Sequence, residues 1–213
     1  RNRAMADIRA EWILWIDAGE KLSAADSQSL RQLVDVQSDS NTCYAVWIEL
    51  PQATADSYAE RVTQIRLIPS SAALRFTGRV RETLLPAIEG GKFQIERSEI
   101  HLLRSSRDHD SQRKHDLAVR DLPLIEQEIV ENGRLPKWLV AAGDVHVNLG
   151  DPSTAHACYR EALKTAEKGS TDQLAAYYGL LTCCGTAADT DDSPMEICIE
   201  ALEVFPFDAQ LLC

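Results

Sequence analysis

The chain has no run of about 18 apolar residues, which excludes a transmembrane helix of ordinary length. It has no basic opening segment followed by an apolar stretch, so a secretory leader is not expected. It has no C-x-x-C pair and no His/Cys ligand spacing among its six cysteines, which argues against a zinc site or a disulfide framework. Four of those cysteines fall in apolar helical patterns, where a free thiol behaves as a small hydrophobe. A reducing, cytoplasmic setting follows as the expectation. Positive charge is also scarce: 22 Lys and Arg stand against 33 Asp and Glu, a formal net charge of −11. That balance argues against a general binder of nucleic acid or anionic membrane.

What is present divides unevenly along 213 residues, longer than the usual single domain of about 100–150. Arg1–His115 carries 16 basic and 16 acidic residues, whereas Asp116–Cys213 carries 6 and 17. All the excess negative charge belongs to the second half. The hydrophobic period changes at nearly the same place, reading mixed α/β to about 110 and helical from about 111.

In the first half, Arg1–Ala10 reads as a helix already in progress, from which we expect the chain to be cut from something longer. Glu11–Asp17, E-W-I-L-W-I-D, reads as a buried central strand ending in a carboxylate. Ser23 with Asp26 caps a helix through Leu30, Leu33 and Val34. Cys43–Leu50, Val62–Ile68 (with one wet face), the basic stretch Leu74–Thr83 and Phe93–Leu103 read as strands, and Gln52–Glu60 as a polar loop. A carboxylate at the carboxyl end of such a strand lies at the rim where α/β sheets bind ligands. There Asp17 suits a divalent cation bridging to nucleotide phosphates, with Glu20 behind it.

In the second half, helices are expected to Asn132, then over Pro136–Asn148, Pro152–Lys168, Asp172–Cys184 and Pro194–Val204. Pro136–Glu167 and Ala175–Pro206 have similar helix–turn–helix layouts, with Ala162-Leu163 and Ala201-Leu202 39 residues apart. Gly143, Ala155 and Ala162 at close-crossing positions, the Gly150-Asp151 turn and the Tyr159 knob resemble a tetratricopeptide repeat. Glu167 stands where proline is usual, and the second unit has Pro194 and Cys198 at the small and aromatic positions. F-D-A-Q-L-L-C at the end looks like the start of a third unit. The resemblance implies stacked hairpins with an acidic surface for a basic peptide or protein partner; a plain helical hairpin bundle is the simpler alternative.

R-N-R-A-M-A followed by E-W-I-L-W-I-D-A-G-E, and later L-R-F-T-G-R-V-R-E-T, resembles the middle of the family 2 glycosyltransferases, inverting enzymes of the GT-A type. That family has an A-R-N-x-A helix, a strand ending in D-A-D-E, and an R-F-x-G-x-V-H-E segment. The resemblance covers about 1–110 and implies part of a Rossmann-like nucleotide-diphospho-sugar transferase domain. By it, Asp17 matches the first metal-binding aspartate and Glu20 the closing glutamate, while Gly19 replaces the middle aspartate and removes one ligand. Glu82 matches the general base, with Arg81 in place of histidine. Arg79 and Arg81 would meet the leaving diphosphate, and His101 or His109 would supply the downstream metal-binding histidine.

The implied function is transfer of a sugar from a nucleotide-sugar donor to a saccharide, lipid or protein acceptor, using Mn²⁺ or Mg²⁺. By this reading the parts that grip the nucleobase precede Arg1, and the piece alone is inactive. The alternative is a non-catalytic scaffold built from a degenerate transferase domain and the repeats. Plainer roles stay open for each residue: Asp17 closing a turn, Glu82 pairing with arginines, and His109 and Asp110 capping the next helix. His115, His146 and His156 lie in helical patterns and read as structural.

Overall fold

The computed structural model of the chain describes residues 1–37, 40–50, 61–91, 93–105, 110–184 and 192–212. The chain forms two compact units, Arg1–Asp110 and Ser111–Cys213. Among the described residues the first is a mixed sheet with three helices and the second is built of five helices. Among the described residues no helix is long and apolar enough to cross a membrane.

The first unit runs α1 (Asn2–Ala6), β1 (Trp12–Leu14), β2 (Lys21–Leu22), α2 (Ala24–Val36), β3 (Thr42–Glu49), β4 (Arg61–Pro69), α3 (Leu85–Glu89) and β5 (Gln94–Leu103). The strand order is β1-β4-β3-β5-β2. β3 and β5 pair in parallel, and the other described neighbours are antiparallel. β3 lies in the middle, and Cys43, Val46 and Ile48 are wholly buried there. Val46, Ile48, Ile100 and Leu102 form a core with Leu30 and Leu33 of α2. A separate core gathers Ile13, Cys43, Ile68, Leu74, Leu84 and Ile88, with Met5 and Ile8 against it. Ser23 caps α2 by accepting the Asp26 N–H at 3.0 Å, which satisfies one of the helix's unpaired amides.

Three strand expectations need correction. The W-I-L run is not central: β1 is three residues long and stands at one end of the described sheet, where its antiparallel pairing with β4 satisfies one side. Leu74–Thr83 holds no strand. Gly78 (φ 88°) and Arg81 (φ 52°) adopt left-handed backbone, which a strand cannot accommodate, and a lone Thr77–Thr83 bridge closes the loop. On β4, Arg66 is not on a wet face but 4% exposed, for reasons given below. The short elements β2 and α3 were not legible as separate elements, and Gln52–Glu60 lies outside the described residues.

The second unit comprises α4 (Ser111–Asn132), α5 (Pro136–Leu149), α6 (Pro152–Thr165), α7 (Thr171–Cys183) and α8 (Pro194–Val204). The punctuation is local. Pro136, Pro152 and Pro194 sit in first turns, where no amide is missed. Gly150 ends α5 in the left-handed conformation at φ 78°. Asp151, Ser170 and Ser193 cap α6, α7 and α8 with their side chains. α6 stops at Thr165 rather than Lys168, because Ala166 leaves helical backbone at ψ 141°.

At the centre, Tyr159 of α6 is 1% exposed and its hydroxyl donates to Asp144 at 2.6 Å. Its ring lies against two glycines, one on each neighbouring helix. A Cβ at Gly143 would stand 2.5 Å from the ring, and one at Gly179 would stand 2.3 Å from it. Ala155, Ala162, Ala176 and Ala201, all wholly buried, keep the other crossings close. Gly179→Ala is therefore expected to destabilise the helical unit by about 1–3 kcal/mol through overpacking. Gly143→Ala should act alike, and Tyr159→Leu should relieve both substitutions in part; thermal unfolding of each single and double variant measures this.

Candidate functional site

The site is built where β1 meets β4. Leu14 pairs with Leu67, and the Trp15 N–H donates to the Arg66 carbonyl at 2.8 Å, so the chain leaves β1 beside Arg66. It then turns. The Glu20 N–H donates to the Asp17 carbonyl at 3.0 Å, and the Asp17 N–H donates to Glu20 Oε2 at 2.7 Å. Gly19 occupies this turn at φ +99°, a conformation open to glycine at little steric cost. The turn aims both carboxylates at one guanidinium. Arg66 Nη2 lies 2.9 Å from Asp17 Oδ2 and 2.8 Å from Glu20 Oε1.

Arg66 and Glu20 are buried to 4% and 1% exposure, so neither charge is met by bulk water. Burying a lone charge is costly, and each of these is tolerable because the other is in place. Arg104 Nε approaches Glu20 Oε1 at 3.9 Å from the end of β5.

A second guanidinium joins this pair to the basic loop. Arg1 Nη2 donates to Asp17 Oδ1 at 3.2 Å, and Arg1 Nε lies 3.5 Å from Glu82 Oε2. The same guanidinium stands 4.9 Å from the centre of the Trp15 ring and 5.0 Å from that of Phe76, a cation–π seat between two tilted rings. The Trp15 indole N–H also donates to Asp17 Oδ1, at 3.0 Å. Asn2 fixes the loop by a two-way clamp, its amide donating to the Phe76 carbonyl and its oxygen accepting the Phe76 N–H, both at 2.8 Å. Arg1 and Asn2 thereby hold the R-F-T-G-R-V-R-E segment against the D-A-G-E turn.

Of the residues singled out in the sequence, Asp17, Glu20 and Glu82 come together around these arginines. Arg79 and Arg81 are exposed on the loop that carries Glu82. His101 is engaged elsewhere: its Nδ1 lies 3.0 Å from Glu49 Oε1, its ring stacks near Trp47, and its N–H donates to Asp26. His109 lies outside the described residues. Sequence reasoning missed Arg66 as a site residue. The available signal was a cation set within the apolar run of β4, Q-I-R-L-I-P, a residue that must find an internal partner if the strand is buried on both faces.

The residues present do not fit a resident divalent cation. Such an ion needs several oxygen ligands free to bind it, whereas both Asp17 oxygens already accept charge-assisted bonds from Arg1 and Arg66. Gly19 offers no side chain, and an added Cβ would stand 3.2 Å from Ser105 Cβ on strained backbone. Among the described residues no group of three or more His, Cys, Asp or Glu side chains is placed to hold a metal.

Burial raises the Asp17 pKa, but hydrogen bonds from Arg66 and Trp15, with the charges of Arg66 and Arg1, outweigh it and hold the carboxyl below 3.8. Because the folded value is the lower one, the pairing stabilises the fold above the ordinary aspartate pKa. That contribution fades as pH falls below about 4. Arg66→Met leaves the buried Glu20 with only the more distant Arg104 and Asp17 with Arg1 and Trp15, and is expected to cost about 3–5 kcal/mol at neutral pH. Without Arg66 the Asp17 carboxyl loses the strongest of the contacts that lower its pKa and protonates more readily in acid, so the stability gap to the wild type should narrow as the pH falls from neutral towards about 4. Chemical denaturation across that range checks both the size and the sign.

No model of a known protein family matches the chain and no curated protein matches it, so the chemistry of the site rests on the geometry above.

Proposed function

We propose that the first unit is part of an inverting, GT-A-type glycosyltransferase domain resembling family 2, and that the protein carrying it transfers a sugar from a nucleotide-sugar. One observation carries this reading. Three motifs far apart in sequence, R-N at 1–2, D-A-G-E at 17–20 and R-F-T-G-R-V-R-E at 75–82, meet at one place, with Arg1 bridging Asp17 and Glu82.

In the proposed reaction Glu82 accepts the proton of an acceptor hydroxyl as its oxygen attacks the anomeric carbon. The bond to the diphosphate breaks on the opposite face. The charge left on the diphosphate is met by guanidinium groups, with Arg79 and Arg81 on the exposed loop as candidates. The helical unit, read as tetratricopeptide-like, is supported by Tyr159 seated between Gly143 and Gly179. Its excess of acidic residues suits a basic protein partner. The free cysteines among the described residues suit a reducing cytoplasm.

A second reading, a non-catalytic scaffold, is favoured by a different fact: Asp17 and Glu82 are both already paired with Arg1. A thermal-shift panel of nucleotide-sugars on the full-length protein separates the two readings, because a ligand that binds the folded state raises its midpoint. For the transferase, Glu82→Gln should lower turnover by about 10²–10⁴-fold with donor binding retained. Asp17→Ala should weaken donor binding. Full activity in both variants overturns the site, and a flat response to every donor favours the scaffold.

A further inference from the structure

We infer that the Asp17 site works without a resident divalent cation: the guanidinium groups of Arg1 and Arg66 hold the carboxylate a cation would use, and the exposed cations of Arg1, Arg79 and Arg81 are the ones that face an anionic ligand. The ligand half of this inference, a diphosphate met by arginine, rests on the donor-site reading above; the cation half stands on the geometry alone.

The first argument is charge balance. Asp17, Glu20 and Glu82 are three carboxylates, and Arg1, Arg66 and Arg104 are three guanidiniums within ion-pair reach of them. Among the described residues the cluster has no surplus negative charge with which to recruit a dication. A metal bound to Asp17 would stand beside Arg66, whose Nη2 is 2.9 Å from that carboxylate, and beside Arg1 at 3.2 Å. Like charges brought this close repel one another.

The second argument is immobility. Arg66 is 4% exposed and held by two carboxylates at once, so it cannot swing aside without stranding Glu20. Arg1 is seated between two aromatic rings, and Asn2 next to it is clamped to the loop. The third is the ligand set. The turn position that would offer a further carboxylate is glycine, with left-handed backbone and Ser105 close by.

An anionic ligand meets a different surface. Arg1 is one-quarter exposed, and Arg79 and Arg81 are exposed on the loop that ends in Glu82. Guanidinium groups form paired hydrogen bonds to phosphate oxygens, a task for which their planar fork is well shaped.

Trp15 supplies a direct test. Its indole N–H donates to Asp17 Oδ1 at 3.0 Å, so a paramagnetic ion on Asp17 would erase that resonance first. The chain is titrated with MnCl₂ alone while the indole signals are followed by ¹⁵N–¹H spectroscopy, with the Trp15 peak assigned by Trp15→Phe and Trp138 as the internal control. The expected result is that Trp15 keeps its intensity relative to Trp138. Selective loss of Trp15 at substoichiometric Mn²⁺, abolished by Asp17→Asn, overturns the inference.

A second measurement uses inorganic pyrophosphate with EDTA or with Mn²⁺ and reads the unfolding midpoint. An equal rise in both supports the inference. A rise with Mn²⁺ only overturns it while leaving the donor reading intact. No rise in either overturns the donor reading and with it the diphosphate half, and the Trp15 signal still decides the cation half.

Discussion

The first unit depends on a buried guanidinium shared between two carboxylates. Arg66 enters the protein on β4, and its burial is possible because the turn after β1 presents Asp17 and Glu20 to it together. This contact links three levels of structure. The antiparallel register of β1 on β4 brings Trp15 to the Arg66 backbone. The Asp17–Glu20 turn, made possible by Gly19, sets the direction of both acids. The Asp17 carboxylate, held ionised, then anchors Arg1 and through it the loop that carries Glu82. A one-residue slip of β1 on β4 would turn the wrong side chains inward and unmatch every one of these charges.

The site is therefore organised by matched charge rather than by an excess of one sign. That bears on its chemistry. A pocket rich in unpaired carboxylates suits a metal, whereas in this cluster the acids are already met by guanidinium groups. Rigidity comes with the same contacts, since the Arg1 seat on Trp15 and Phe76 and the Asn2 clamp leave the loop backbone tied at Phe76.

The helical unit solves a different problem by a different means. Its helices approach closely because small residues line the crossings and one large ring fills the space they leave, with Tyr159 against Gly143 and Gly179. Its ion pairs lie outside that core, where Arg160 pairs with Asp192 and Glu200, and Arg134 pairs with Glu161, while the buried Glu128 is met by the Asn132 amide at 2.7 Å. Shape, not ion pairing, makes this core specific.

Local signals were legible in the sequence alone. The cap at Ser23, the prolines that open α5, α6 and α8, and the glycine that ends α5 act within four residues of themselves. They need no knowledge of the rest of the chain. β3, β4 and β5 were also readable, from their apolar content and the turn residues around them. The motif residues Asp17, Glu20 and Glu82 were visible as types at suggestive spacings.

The tertiary structure alone decided that β1 lies at one end of the described sheet, that Leu74–Thr83 is a loop, and that Arg66 is inside. Each of these depends on pairing between residues dozens of positions apart, such as Ile13 with Ile68 or Asn2 with Phe76. Arg66 shows why: an arginine in a strand reads as exposed until its two carboxylates are seen to arrive from elsewhere in the chain.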